Sequence, residues 1–97
     1  MTKTLLAEFT ACEGAEGEVA HLLREYAQTV RKEVGNLSFE VYTKASSPRA
    51  YLIFERYQDE AAFQRHLTAP YADPFNTALV PLIEEAASRL IFLDPEF

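Results

Sequence analysis

Three polar side chains of this 97-residue chain stand in strongly aromatic surroundings, where proton transfer to or from a bound molecule is possible. His66 follows Phe63 by three positions, a spacing that turns both side chains to one face of a helix. Glu55 lies in the run AYLIFERY, and Asn36 opens the run NLSFEVY. A histidine in a cleft is the usual group that exchanges a proton near neutral pH. These residue types indicate a general base, His66, with Glu55 and Asn36 in supporting catalytic roles.

Each of these residues also has a purely structural interpretation. His66 could be a partly buried histidine that is bonded to a neighbouring carboxylate. Glu55 could form an ion pair with Arg89, or with Arg56 of the partner subunit in an oligomer, since structural ion pairs also perturb carboxylates. Asn36 could shape the turn that precedes its strand. The residue types alone leave both interpretations open for all three positions.

Five aromatic residues are candidates for the wall of a substrate pocket. Aromatic side chains form apolar walls against which a flat ligand packs, while a few polar groups orient it. The candidates are Tyr26, Tyr51, Phe63, Tyr71 and Phe75. Those on apolar helix faces could equally well belong to the hydrophobic core. In a fold that encloses a pocket, one residue can both pack in the core and line the pocket.

Periodicity and turn signals divide the chain into the elements that must position these side chains. The prediction is a strand over residues 3–11, a helix over 15–33, strands over 36–44 and 50–57, helical pieces over 59–67 and 73–81, and a strand over 87–93. Asp59 is the expected N-cap of the first helical piece, and the pair Asp73-Pro74 that of the second. Gly35 is expected near the end of the long helix.

The order strand, helix, strand, strand, helix, strand predicts a ferredoxin-like α+β fold with a four-stranded antiparallel sheet. The helices of this fold cover one face of the sheet. Several strands are nevertheless apolar on both sides, as Leu52 and Phe54 show opposite Tyr51 and Ile53. We therefore expect a second copy of the chain to cover the other face, which makes a homodimer.

Charge and composition exclude several classes of partner. The formal net charge is -6 and the basic residues are scattered, so that a nucleic acid would be repelled. No apolar run reaches the length of a membrane span, and the first residues lack the pattern of a signal peptide. The single Cys12 offers neither an internal disulfide nor a thiolate cluster for a metal. We expect one cytoplasmic domain over residues 1–97, without contacts to nucleic acid or membranes and without a metal site.

The segments EVGNLSFEVY and PRAYLIFERYQDEAAFQRHL, followed by the pair Pro70-Tyr71, resemble the antibiotic biosynthesis monooxygenase domain family. Within that family they are most similar to the small bacterial quinol monooxygenases. The resemblance implies a dimeric α/β barrel with an apolar pocket between sheet and helices in each subunit. It also implies oxidation of a small aromatic, hydroquinone-like substrate by molecular oxygen, without flavin or metal. No cofactor is expected on this basis.

The chain departs from the usual family pattern in two places. Many members have Glu-Pro-Gly where this chain has Glu33-Val34-Gly35, a change expected to affect only the loop. The residue after Pro70 is often histidine in the family and is Tyr71 here, which puts any role of that histidine in doubt.

Two other functions stay open at this point. One is a non-catalytic dimeric module that binds a small hydrophobic ligand. The other is an isomerase-like enzyme acting on a phosphorylated small molecule, which would need a basic anion site. The arginines that could form such a site, at positions 49, 56, 65 and 89, are not clustered in the sequence.

Overall fold

The computed structural model describes all 97 residues and has the predicted order of elements. The strands and helices are β1 (Lys3–Thr10), α1 (Glu16–Val30), β2 (Asn36–Lys44), β3 (Ser47–Tyr57), α2 (Glu60–Leu67), α3 (Ala72–Leu79) and β4 (Arg89–Leu93). A 3-10 turn, Val80–Leu82, follows α3. The four strands form one antiparallel sheet in the order β2-β3-β1-β4. This arrangement confirms the ferredoxin-like α+β fold.

The bounds of two helices differ from the prediction. Helix α1 ends at Val30, because residues 31–35 turn toward β2 instead of continuing the helix. Helix α3 begins at Ala72 with Tyr71 as its N-cap, so Asp73 lies in the first turn and does not cap it. The expected cap of α2 is confirmed, since the Asp59 carboxylate accepts a hydrogen bond of 2.8 Å from the Ala62 amide.

The face of the sheet that lies under the helices carries the core. Alternate residues of β1, namely Leu5, Ala7 and Phe9, are buried, and their cross-strand partners on β3 include Ile53 and Tyr51. Helix α1 closes this face with its buried stripe of Val19, Leu23, Ala27 and Val30. The spacing of three and four residues in this stripe places all four side chains on one side of the helix.

A β-bulge changes the face assignment at the start of β2. Asn36 pairs with Tyr57 and Ser38 pairs with Arg56, so Leu37 is the extra residue of the bulge. Simple alternation along the run NLSFEVY would place Leu37 on the same face as the buried Phe39, but Leu37 is 52% exposed. Because of the bulge, Asn36 and Ser38 lie on opposite faces of the sheet, contrary to the simple alternation.

The second face of the sheet is covered by no helix of this chain. It carries the half-buried side chains of Leu6, Leu52, Phe54 and Ile91 together with the exposed Tyr42 and Leu93. The predicted homodimer would cover these residues, and it stays a prediction. None of the helices has both the length and the apolar character that a membrane crossing requires.

Candidate functional site

A cavity of about 270 Å³ lies between the helices and the covered face of the sheet. Twelve of its sixteen lining residues are hydrophobic, and its aromatic members are Phe9, Tyr26, Phe39, Phe63 and Phe75. The rings of Tyr26 and Phe75 stack with centroids 3.8 Å apart and with planes inclined by only 7°. Where the cavity meets solvent, its lining includes the exposed residues Asn76 and Leu90. Such a space accommodates a small flat molecule.

Helix α2 places His66 on the wall of this cavity. Ala62, Phe63 and His66 form the buried side of the helix, and the histidine is only 7% exposed. Its ring packs against Tyr57, with centroids 4.9 Å apart, and lies 6.2 Å from the ring of Tyr26. The short helix therefore holds the imidazole in one orientation among aromatic neighbours.

The Nδ1 atom of His66 is hydrogen-bonded to a carboxylate. Oε2 of Glu33, in the loop between α1 and β2, lies 3.0 Å from this nitrogen. The same oxygen accepts a second hydrogen bond, of 2.5 Å, from the hydroxyl of Tyr71. Because a carboxylate can only accept, we assign the imidazole proton to Nδ1. Nε2 is then the nitrogen with a free lone pair.

The Nε2 atom of His66 faces a second buried carboxyl group. Oε1 of Glu55 lies 3.7 Å from Nε2 and accepts a hydrogen bond of 2.7 Å from the Tyr57 hydroxyl. Glu55 is 5% exposed and lines the cavity beside the histidine. Burial raises the pKa of Glu55, and the hydrogen bond from Tyr57 and the nearby His66 oppose that rise. The imidazole thus lies between two carboxyl groups, which would stabilise a positive charge on the ring.

The phenols of the three tyrosines around this network, Tyr26, Tyr57 and Tyr71, stay protonated near neutral pH. Burial is the largest cause that raises the pKa of Tyr26 and of Tyr57, and the carboxylates of Glu55 and Glu33 raise both further. Burial and the hydrogen bond to Glu33 raise the pKa of Tyr71 to about 12. None of these phenols is therefore suited to remove a proton from a substrate.

The structure brings most of the sequence-predicted site residues together. His66, Glu55, Tyr26, Phe63 and Phe75 all line the cavity. His66 also makes the hydrogen bond to a carboxylate that its structural interpretation predicted. The in-chain partners of Glu55 are Tyr57 and His66, not Arg89.

Three predicted site residues lie outside the cavity lining. Tyr71 is linked to His66 through Glu33, to which both are hydrogen-bonded. Tyr51 stacks on Phe9, with ring centroids 5.4 Å apart, but it does not line the cavity. The Asn36 side-chain amide donates to the carbonyl of Ser38, a contact within β2 that spans the bulge at Leu37 and not the turn before the strand.

Sequence reasoning missed Glu33 as a residue of this site. Its only signal was the segment Glu33-Val34-Gly35 at the start of the family-like stretch, which was assigned to the loop alone. Asn76 and Ser88 were also missed as lining residues. Both belong to segments with no chemical motif, and they reach the cavity only through the packing of α3 and β4.

The charges of the lining restrict what can bind. No lysine or arginine lines the cavity, whose ionisable residues other than Tyr26 are Glu55 and His66. An anionic ligand would lie near the carboxyl group of Glu55 without a permanent positive partner, which is costly in a buried place. No group of three or more His, Cys, Asp and Glu side chains in the chain is placed to hold a metal ion.

Residues 3–78 match the family described as antibiotic biosynthesis monooxygenase, a range that runs from β1 into α3. Solved structures with the same fold include Rv0793 from Mycobacterium tuberculosis, with a TM-score of 0.90 and 22% identity over 98% of this chain and 95% of that chain. PA3566 from Pseudomonas aeruginosa is similar with a TM-score of 0.86 and 23% identity, covering 95% of this chain and 91% of that chain.

A third similar structure is that of a mutant of SnoaB from Streptomyces nogalater, described as a cofactor-independent oxygenase. It has a TM-score of 0.86 and 22% identity, and the match covers 99% of this chain and 94% of that chain. At these identities the likeness establishes the fold, while the chemistry has to be argued from the cavity.

Proposed function

Because the chain belongs to the antibiotic biosynthesis monooxygenase family, we propose that it oxidises a small, uncharged, hydroquinone-like aromatic substrate with molecular oxygen. The reaction would need neither flavin nor metal, since such a substrate supplies the electrons itself. The description of SnoaB as a cofactor-independent oxygenase supports this proposal at the level of a distant relative.

One observation carries the proposal, namely the position of His66. The imidazole is buried on the wall of an aromatic cavity, with Nδ1 engaged by Glu33 and Nε2 left as an acceptor beside Glu55. A general base must lie within hydrogen-bond reach of the proton that it removes. A substrate hydroxyl placed in the cavity next to Nε2 would meet this requirement.

The chemistry then follows from the substrate anion. Transfer of the hydroxyl proton to Nε2 leaves an electron-rich anion next to an imidazolium, which Glu33 and Glu55 flank on both sides. For a hydroquinone, loss of two electrons and two protons to oxygen gives the quinone and hydrogen peroxide. For a ring methylene of the anthrone type, one oxygen atom enters as a carbonyl and the other leaves as water. The protein deprotonates the substrate and shields its anion from water.

The lining also supports the substrate class. The aromatic walls, among them Tyr26 and Phe75, suit a flat ring, and a cavity of about 270 Å³ suits a small one. Asn76 and Ser88 supply neutral hydrogen-bonding groups to the lining. We assign them to a second hydroxyl or carbonyl of the substrate. A phosphorylated substrate is disfavoured because no basic side chain lines the cavity.

We further propose that the active form is a homodimer of single-domain subunits. The second copy would pack on the uncovered sheet face, to which the inner strand β3 contributes Leu52 and Phe54. Each subunit would keep its own cavity, since the cavity lies on the opposite, helix-covered side of the sheet.

Oxygen uptake by the purified protein with a panel of naphthohydroquinones and anthrones tests this function. We expect consumption above the spontaneous rate measured in parallel, and no effect of a metal chelator or of added flavin. Assay of hydrogen peroxide separates quinol oxidation from oxygen insertion. If the protein binds these compounds but never exceeds the spontaneous rate, it is a ligand-binding module instead.

A further inference from the structure

The loop of residues 31–35 fixes the position of Glu33 next to Nδ1 of His66. The backbone amide of Glu33 donates to the Val30 carbonyl at 2.9 Å, and the Glu33 carbonyl accepts from the Asn36 amide at 3.1 Å. The carbonyl of Gly35 accepts from the Gln58 amide at 2.8 Å. The loop is therefore tied to the end of α1 on one side and to the end of β3 on the other.

The same loop packs directly against the helix that carries His66. Gly35 is buried, and a Cβ atom at this position would lie 2.2 Å from the Cβ atom of Ala62. Glycine is needed here for close approach and not for a left-handed backbone, since its φ angle is not in the positive range. Ala62 and His66 are one helical turn apart on the buried side of α2, so this contact sets the distance between Glu33 and His66.

The side chain of Glu33 has no partner other than the groups of this network. Its exposure is 15%, it forms no ion pair with a lysine or arginine, and Oε2 accepts both from Nδ1 of His66 and from the hydroxyl of Tyr71. Two donors on one oxygen leave this carboxylate little rotational freedom. The tyrosine hydroxyl thus holds the carboxylate, and the carboxylate holds the imidazole.

We propose that Glu33, held by Tyr71, is a positioning residue that keeps His66 in the Nδ1–H tautomer, so that Nε2 is the base presented to the substrate. This inference rests on the proposed function for its catalytic consequence. The tautomer itself is a property of the protein alone. Neither Glu33 nor Tyr71 lines the cavity, so both act through His66 and do not touch the substrate.

The tautomer is measured directly with protein labelled with ¹⁵N at the histidine side chains. For the neutral imidazole of His66, we expect the resonances of a protonated Nδ1 and an unprotonated Nε2. The variant His21→Ala assigns the spectrum, because His21 is the only other histidine and its side chain is 72% exposed.

Two variants of Glu33 separate positioning from mere packing. Glu33→Ala removes the acceptor, and we expect the resonances to shift toward the Nε2–H tautomer. Glu33→Gln keeps a side-chain oxygen that can accept from Nδ1, and it should restore the wild-type pattern at least in part. Tyr71→Phe should give an intermediate pattern, since it frees the carboxylate without removing it. A wild-type spectrum with a protonated Nε2, or no change in Glu33→Ala, would overturn the proposal.

The kinetic consequence is read with whichever quinol the wild type oxidises. We expect Glu33→Ala to lower kcat by about 10–100-fold with little change in KM, as is typical when the group that orients a catalytic histidine or ligand is lost. Glu33→Gln should recover part of kcat. A rise in KM with an unchanged kcat would contradict the positioning role. If the wild type oxidises nothing yet the tautomer responds as expected, the proposed function fails while the positioning of His66 stands.

Discussion

The Nδ1 atom of His66 lies 3.0 Å from Oε2 of Glu33, although 33 positions of the chain separate the two residues. On the other side of the imidazole, Nε2 is 3.7 Å from Oε1 of Glu55. A buried histidine between two carboxyl groups can accept a proton and keep the resulting charge paired. Since both His66 and Glu55 line the same aromatic cavity, the paired charge would lie next to a bound substrate.

The substitution Gly35→Ala should destabilise the protein and disturb the site together. Its Cβ atom would lie 2.2 Å from that of Ala62, so the loop or helix α2 must move apart. Overpacking of this kind costs about 1–3 kcal/mol, measurable by urea denaturation. The displaced loop also withdraws Glu33 from His66, and the tautomer signal of His66 should weaken in the same variant.

Gly17→Ala is the matched control for that substitution. Gly17 lies in α1, and nothing stands within 4 Å of the position that its Cβ atom would take. Alanine is the better helix former, so this variant should be stabilised by up to about 1 kcal/mol. Equal losses of stability in the two variants would show that the close packing of Gly35 on α2 is not the cause.

The buried carboxyl group of Glu55 should make stability depend on pH. Burial raises its pKa from 4.5, so above that pH the folded protein holds a proton that the unfolded chain has released. The free energy of unfolding therefore falls as pH rises from about 4.5 through the folded pKa, by about 1.4 kcal/mol for each pH unit that separates the two pKa values.

The variant Glu55→Gln isolates this contribution. Its side chain cannot ionise but can still accept the hydrogen bond from Tyr57. We expect the stability of the variant relative to the wild type to rise with pH over that window and to level off above it. Chemical denaturation at a series of pH values measures the difference, and a difference that stays constant with pH would contradict a raised pKa.

The uncovered face of the sheet gives a prediction about assembly. A charge introduced by Phe54→Asp would be buried without a partner if a second copy packs there, whereas His21→Asp changes an exposed helix residue. Sedimentation should show a dimer for the wild type and for His21→Asp, and a monomer or less stable dimer for Phe54→Asp. The wild-type melting temperature should also rise with protein concentration. A wild type that sediments only as a monomer at micromolar concentration excludes this interface.

The absence of lysine and arginine from the cavity lining predicts selection against anions. A sulfonated naphthohydroquinone should bind at least about tenfold more weakly than its uncharged parent, because its charge would be desolvated near Glu55 without a counter-ion. Competition binding with a redox-inert quinone analogue measures both affinities. Equal affinities would mean that the sulfonate stays in solvent or that the ligand occupies another site.

The elements of the fold could be predicted because their apolar residues follow simple periods. Leu5, Ala7 and Phe9 alternate along β1, and Val19, Leu23 and Val30 recur at helical spacing in α1. The bulge at Leu37 could not be predicted, since the run NLSFEVY alternates without interruption across it. The register there depends on pairing with β3 and not on the sequence of β2 alone.

The site could be predicted only in part for the same reason. His66 and Phe63 share one helix face, a local relationship that the sequence shows directly. Glu33 reaches His66 only because a loop at the end of α1 packs on α2 through Gly35, a contact between distant segments. Tyr71 completes the network from a third segment, as a hydrogen-bond donor to Glu33 and not as the pocket-wall residue that the sequence suggested.

The proton-accepting role of His66 is tested most directly by the rate of oxygen uptake of His66→Ala beside that of the wild type, with the exposed His21→Ala as control. With a naphthohydroquinone as substrate, we expect wild-type and control rates above the spontaneous reaction, rising with pH through one ionisation. His66→Ala should keep its fold by circular dichroism, lose that ionisation and lower kcat by about a hundredfold or more, as loss of a general base does. A folded His66→Ala variant with the wild-type rate and pH profile would contradict the central claim and make His66 a packing residue.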